Sequence, residues 1–150
     1  PGQDGILASR LTDRSIRPLF PKGLHNDIQI TMTILSSDME NPPEVLGMVG
    51  ASAAIAISQI PFNGPVASCR IAYIDGEYVV HPTYEQSKES TLSMVVSSPR
   101  DSILMVEAGA NEVQDLAGAM ATGYRQGPRS EYGHHRHDRR PEAPSRQAQA

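Results

Sequence analysis

Apolar and polar positions alternate along the chain in a way that divides it into short elements. Over residues 4–17, Leu7, Ala8, Leu11 and Ser15 share one narrow face at helical spacing, with Asp4 placed to cap the first turn. Pro18 disfavours helical geometry at Arg17, so this helix ends there or one residue earlier. Leu19 to Gly23 then makes a rigid turn. Asp27 to Ser36 (DIQITMTILS) alternates and is rich in Ile and Thr, the pattern of a strand. Asn41-Pro42-Pro43 interrupts the chain, and Glu44 opens a second helix to about Ser58. That helix is apolar nearly all round, which predicts burial against a sheet. After the turn Ile60–Pro65, Val66 to Tyr73 and Glu77 to Val80 read as two strands joined through Asp75-Gly76, a strong hairpin signal. Strands over Thr91–Ser97 and Ser102–Glu107 follow, then a third helix from about Asn111 to Gly123. The order α-β-α-β-β-β-β-α predicts an α+β sandwich with helices packed on a mainly antiparallel sheet.

Composition sharpens the boundaries. The 150 residues suffice for one domain, and 12 Gly and 12 Pro suit a chain broken by many turns. Residues 125–150 hold no Ile, Leu, Val or Phe, so they cannot bury enough surface to offset chain entropy and are expected to be disordered. The domain is therefore placed at 1–124 and the Arg/His/Pro tail at 125–150. The longest apolar run, Val45 to Ile57, falls well short of the roughly 20 residues needed to cross a bilayer. No membrane association is expected. A single Cys69 excludes an internal disulfide and any cysteine-cluster metal site. The opening at Pro1, without an initiator Met or an apolar leader, suggests a segment of a longer product.

Charge is unevenly distributed. The net of −4 averages +2 over residues 1–24, −9 over 25–124 and +3 over the tail. The +2 segment holds the strongest candidate constellation. Arg10, Arg14 and Arg17 stand at i, i+4 and i+7, within an arc of roughly 60° on one helix face. Guanidinium forks grip phosphate in bidentate fashion, so the cluster suits a polyanion, and Asp13 can offset the crowding by pairing with Arg10 or Arg17. The alternative is a solvated face, or arginines paired with acids of the −9 segment; on spacing alone that is the more economical reading. Ser97-Ser98 before Pro99 could present hydroxyls to a phosphate, although strand-end serines are common. His25 and His81 stand without metal-ligand spacing, and His134, His135 and His137 fall in the tail. No Walker loop, GxGxxG, GxSxG or HExxH is present.

Several longer strings carry a more specific signal. Residues 9–21 (SRLTDRSIRPLFP), 43–54 (PEVLGMVGASAA), 60–66 (IPFNGPV), 74–80 (IDGEYVV) with Pro82-Thr83, and 103–108 (ILMVEA) together resemble the polynucleotide phosphorylase family. The likeness is to its first ribonuclease PH-like core domain and runs from about residue 2 to 113. It implies a ribonuclease PH fold, incomplete at the N-terminus, within a phosphorolytic 3′-to-5′ exoribonuclease that uses inorganic phosphate to release nucleoside diphosphates during mRNA turnover. It further implies a nucleotidyltransferase that acts on single-stranded RNA as a homotrimer, with partners from an RNA-degradation complex, in a bacterial-type cytoplasm or an organelle.

In that family the catalytic groups and the Mg²⁺ site belong to the second core domain. No catalytic residue or metal ligand is therefore expected in this segment, which should be inactive alone. The same resemblance casts Arg10, Arg14 and Arg17 as RNA- or phosphate-contacting residues and Asp13 as their supporting ion pair. Two other readings stay open: a non-catalytic, ring-forming RNA-guiding module, and an exosome-type or ribonuclease PH-like subunit. The family continues helical and apolar where the tail begins. An out-of-frame tail is thus expected, which the other two reading frames test.

Overall fold

The computed structural model describes residues 2–110. Helix α1 (Gln3–Ile16) leads into a 3-10 turn at Arg17–Leu19, and α2 spans Glu44–Ala56. Strands β1 (Ala67–Ile74) and β2 (Glu77–Val80) precede a short α3 (Tyr84–Glu89), then β3 (Leu92–Ser98) and β4 (Met105–Ala110). The four strands form one sheet in the order β2-β1-β3-β4, every neighbour antiparallel. This is the expected α+β architecture. The predicted third helix over 111–123 and the tail over 125–150 lie outside the described residues.

Both faces of the sheet are apolar. On one, Val95 and Met105 pack with Leu11 of α1 and Met48 of α2. On the other, Cys69, Ile71, Met94 and Val96 pack together, flanked by Tyr78, Val80 and Val106. The β1–β2 hairpin turns at Asp75 (φ 49°) and Gly76 (φ 87°), the paired positive values of a type I′ turn, which explains the glycine.

A third cluster, Ile16, Ala51 and Ile55 with Phe20, Ile60 and Phe62, joins the two helices to the turn before β1. The rings of Phe20 and Phe62 lie 5.6 Å apart, and the Asn63 N–H donates to the Leu19 carbonyl at 2.9 Å. Two of the strings that carried the resemblance, residues 17–21 and 61–65, thus dock on each other. Gly64 lies beneath the Phe62 ring, where an added Cβ would collide with the ring carbons.

Four expectations need correcting. Residues 27–36 form no strand: they join no ladder, and Ile34 and Leu35 are 64% and 93% exposed. A strand requires a partner to satisfy its N–H and C=O groups, and the alternating pattern alone does not supply one. Helix α2 is not buried all round. Val45, Met48, Ala51, Ser52 and Ile55 face the interior while Leu46 is 74% exposed, because only one side of the helix meets the sheet. Asp4 lies inside the first turn of α1 and Gly2 takes the N-cap, so the acid acts on the helix dipole instead of capping. The last strand starts at Met105, three residues later than its pattern suggested, after a loop closed by the Ser98 hydroxyl and the Ser102 carbonyl.

Candidate nucleic-acid interface on helix α1

Helix α1 has two chemically distinct sides. Leu11, Thr12, Ser15 and Ile16 are buried, a face rotated from the predicted one because Leu7 stays exposed. The buried side is held to the sheet by hydroxyls. Ser15 Oγ donates to the Leu11 carbonyl at 2.7 Å and lies 2.8 Å from Ser97 Oγ, which is 2.7 Å from Ser68 Oγ. Each hydroxyl owns one hydrogen, so the relay has a single direction. Ser15 spends its hydrogen on Leu11, so Ser97 donates to Ser15, and Ser68 donates to Ser97. Three buried hydroxyls are satisfied in a chain that crosses from β1 through β3 to α1. Ser97 is therefore committed internally, and Ser98 Oγ reaches the Ser102 carbonyl at 2.6 Å. Neither serine presents a hydroxyl to a phosphate.

Arg10, Asp13, Arg14 and Arg17 all lie on the exposed side. The structure brings the three arginines onto one ridge but gives each a different state. Arg17 is filled: its Nε donates to both Asp13 oxygens at 3.1 and 3.0 Å, and its Nη2 to Oδ1 at 2.6 Å. The Asp13 hydrogen bond first, and its charge second, raise the Arg17 guanidinium above its ordinary value. Arg14 is held at one point, Nη1 donating to Glu107 Oε2 at 2.5 Å. Arg10 has no partner among the described residues.

Among the described residues, pairing with acids of the −9 segment thus holds for Arg14 alone, and Asp13 chooses Arg17 over Arg10. Glu107 comes from edge strand β4, where it stands opposite Val95 and so shares the sheet face on which the helices pack. It lies 93 residues from Arg14 in sequence, and no local pattern marks it as a partner.

A groove of about 520 Å³ runs beside the ridge, bordered by Asp13 and Arg17 and floored by Ile16, Phe20, Leu24 and Ile28. A further pair, Arg70 with Glu44 at 2.5 Å, ties β1 to the start of α2 and leaves Arg70 Nε buried without a hydrogen-bond partner. Among the described residues no three His, Cys, Asp or Glu side chains converge to hold a metal ion. No described helix is long and apolar enough to cross a membrane.

Comparison with known proteins places these features. Residues 1–61 match the "3' exoribonuclease family, domain 1" and residues 64–126 the "3' exoribonuclease family, domain 2"; the matches meet in the Phe62–Gly64 turn. The chain is 50% identical over 115 residues to polyribonucleotide nucleotidyltransferase 3 of Alkaliphilus metalliredigens, covering 77% of this chain and 16% of the relative. It is 51% identical over 122 residues to the polyribonucleotide nucleotidyltransferase of Deinococcus radiodurans, covering 80% and 16%. The chain thus spans about a sixth of the length of the curated relatives it matches. The crystal structure of rice (Oryza sativa) Rrp46 shares the fold, with a TM-score of 0.65 at 11% identity over 90% of this chain and 66% of that one. Two adjoining family matches from residue 1 to 126, with half the aligned positions identical in the curated relatives, make the conclusion plain: the chain belongs to the 3′ exoribonuclease family, and its likeness there is to the polyribonucleotide nucleotidyltransferases.

Proposed function

We propose that the chain is part of a phosphorolytic 3′-to-5′ exoribonuclease, a polyribonucleotide nucleotidyltransferase. In this reading α1 supplies an RNA-facing ridge and the bond-breaking groups lie elsewhere in the enzyme. The observation that carries it is the 50% identity over 115 residues to a polyribonucleotide nucleotidyltransferase. Inorganic phosphate is the co-substrate and attacks the terminal phosphodiester. The oxygen of the penultimate nucleotide leaves, and one nucleoside diphosphate is released per step. The role of this segment is binding. Guanidinium groups on a solvent-exposed helix face hold backbone phosphates without reading bases, and degradation of arbitrary RNA requires that tolerance. Assembly as a homotrimer, a cytoplasmic setting and Mg²⁺ bound by other parts of the enzyme belong to the same proposal. The exosome-type or ribonuclease PH-like alternative is favoured only by the Rrp46 likeness, which at 11% identity speaks to fold alone.

The test is binding of fluorescein-labelled oligo(A) to the 150-residue chain, followed by anisotropy across a salt series. Reversing Arg10, Arg14 and Arg17 together to Glu is expected to weaken binding at least about tenfold at low salt and to flatten the salt dependence. Unchanged affinity overturns the ridge. With inorganic phosphate and Mg²⁺ added, the chain alone is expected to release no ADP; processive release would show that the catalytic groups lie in this segment.

A further inference from the structure

The ridge arginines differ in which edge of the guanidinium remains available. A phosphate is gripped best by two parallel N–H donors on one edge of the fork. On Arg17 that edge, Nε with Nη2, is already taken by the two oxygens of Asp13. On Arg14 the contact to Glu107 uses Nη1 only, so among the described residues the Nε–Nη2 edge stays open. Arg10 has every donor available among the described residues. Asp13 therefore occupies on Arg17 the place that a phosphate would occupy.

Resting on the reading of α1 as an RNA-facing ridge, we propose that Asp13 is an internal stand-in for phosphate. It keeps Arg17 out of use, so a single-stranded RNA engages Arg10 and Arg14 first and gains Arg17 only by displacing Asp13. Asp13 and Arg17 are 49% and 74% exposed. Solvent screening makes such a pair weak, so it works as a competition and not as a lock. The ridge has two contact strengths: a two-phosphate grip that lets a strand slide, and a three-phosphate grip reached where the local phosphate density is high enough to displace the carboxylate. Glu107 does not compete in this way. It fixes Arg14 from the sheet and leaves the open edge pointing away from itself, which makes it a positioning residue for Arg14.

A double-mutant cycle on the 150-residue chain with fluorescein-labelled oligo(A) tests the proposal. Asp13→Ala is expected to tighten binding about threefold at low salt and to steepen the salt slope by about 0.7, the value of one further single-strand phosphate contact. Arg17→Ala alone is expected to weaken binding less than Arg10→Ala does, because its fork is already filled. In the Asp13→Ala background the same Arg17→Ala change should abolish the gain in affinity and in slope. A gain that persists without Arg17 would mean that Asp13 acts only as a nearby negative charge, which overturns the proposal. So would an Arg17→Ala change that weakens the wild-type chain as much as Arg10→Ala does. If Arg10→Ala and Arg14→Ala both leave binding unchanged, the ridge reading itself falls; if those two weaken binding while the cycle shows no coupling, only the role given to Asp13 falls.

Discussion

Strand β1 and the segment 27–36 are similar in length and both mix apolar with polar residues, yet only β1 is a strand. β1 is hydrogen-bonded on both sides, to β2 and to β3, and Ile71 in its middle is fully buried. The segment 27–36 joins no ladder, and its Ile34 is 64% exposed. The difference teaches that a strand is a property of a pair. β1 finds β2 through a two-residue turn with backbone angles that suit Asp75-Gly76, and β3 returns to its other side after a capped helical turn. Residues 27–36 lie between the 3-10 turn at Arg17–Leu19 and helix α2, so no strand adjacent in sequence stands ready to pair with them. The sheet's own edges, β2 and β4, leave the segment unpaired.

The same substitution made in both places sharpens this contrast most. Ile71→Ala leaves a cavity among Cys69, Met94 and Val96 and is expected to destabilise the chain by about 2–5 kcal/mol. Ile34→Ala removes an exposed side chain and should stay within about 0.5 kcal/mol. Urea unfolding followed by far-ultraviolet circular dichroism measures both, and similar losses at the two sites would break the comparison.

A middle-sized effect is expected at the junction of sheet and helix. Ser97→Ala interrupts the hydroxyl relay and strands the Ser68 hydrogen in a buried site, at a cost of about 1–3 kcal/mol. Far-ultraviolet and thermal melts of Ser97→Ala and of the Ser68→Ala/Ser97→Ala pair check it. The double variant removes the orphaned donor and should recover part of the loss.

The smallest effect belongs to the loop that follows segment 27–36. The Asp38 carboxylate accepts the N–H groups of Asn41 and Glu40 and the Asn41 side-chain amide, and these hydrogen bonds, led by those from Asn41, hold its carboxyl down at about 2. A group with a lowered folded value stabilises above its unfolded value, near 3.9, and loses that contribution as pH falls through the folded one. The stability gap between the wild-type chain and Asp38→Asn is therefore expected to be constant above about pH 4 and to close toward about pH 2. A gap that does not change over that range would show the hydrogen bonds to be absent in solution.

Some of this architecture was legible in local chemistry. Pro18 placed the end of α1, Asp75-Gly76 placed the hairpin, and the run from Glu44 placed α2 almost to the residue. The pattern reading missed helix α3, although Thr83 and Gln86 carry its sign as a capping box, with Thr83 Oγ1 accepting from the Gln86 N–H and Gln86 Oε1 from the Thr83 N–H. The candidate site was half legible. Helical spacing alone puts Arg10, Arg14 and Arg17 on one face, because their angular positions follow from the pitch.

What spacing could not decide is the state of each arginine. The choice of Arg17 by Asp13 is a local i, i+4 contact, one of two the helix allowed. The capture of Arg14 by Glu107 needed β4 to pair with β3 in the register that sets Glu107 opposite Val95. The serine relay likewise joins residues 15, 68 and 97, which meet only once three elements have packed.

The sequence by itself determined the helices, the hairpin, the arginine face and, through strings such as RPLFP and PFNGP, the family. These rest on backbone sterics, turn geometry and helical pitch, which act over a few residues. Only the tertiary structure decided which strand-like run became a strand, which side of α2 was buried, and that Glu107 holds Arg14. Each of those depends on a partner that the chain brings near only after it has folded.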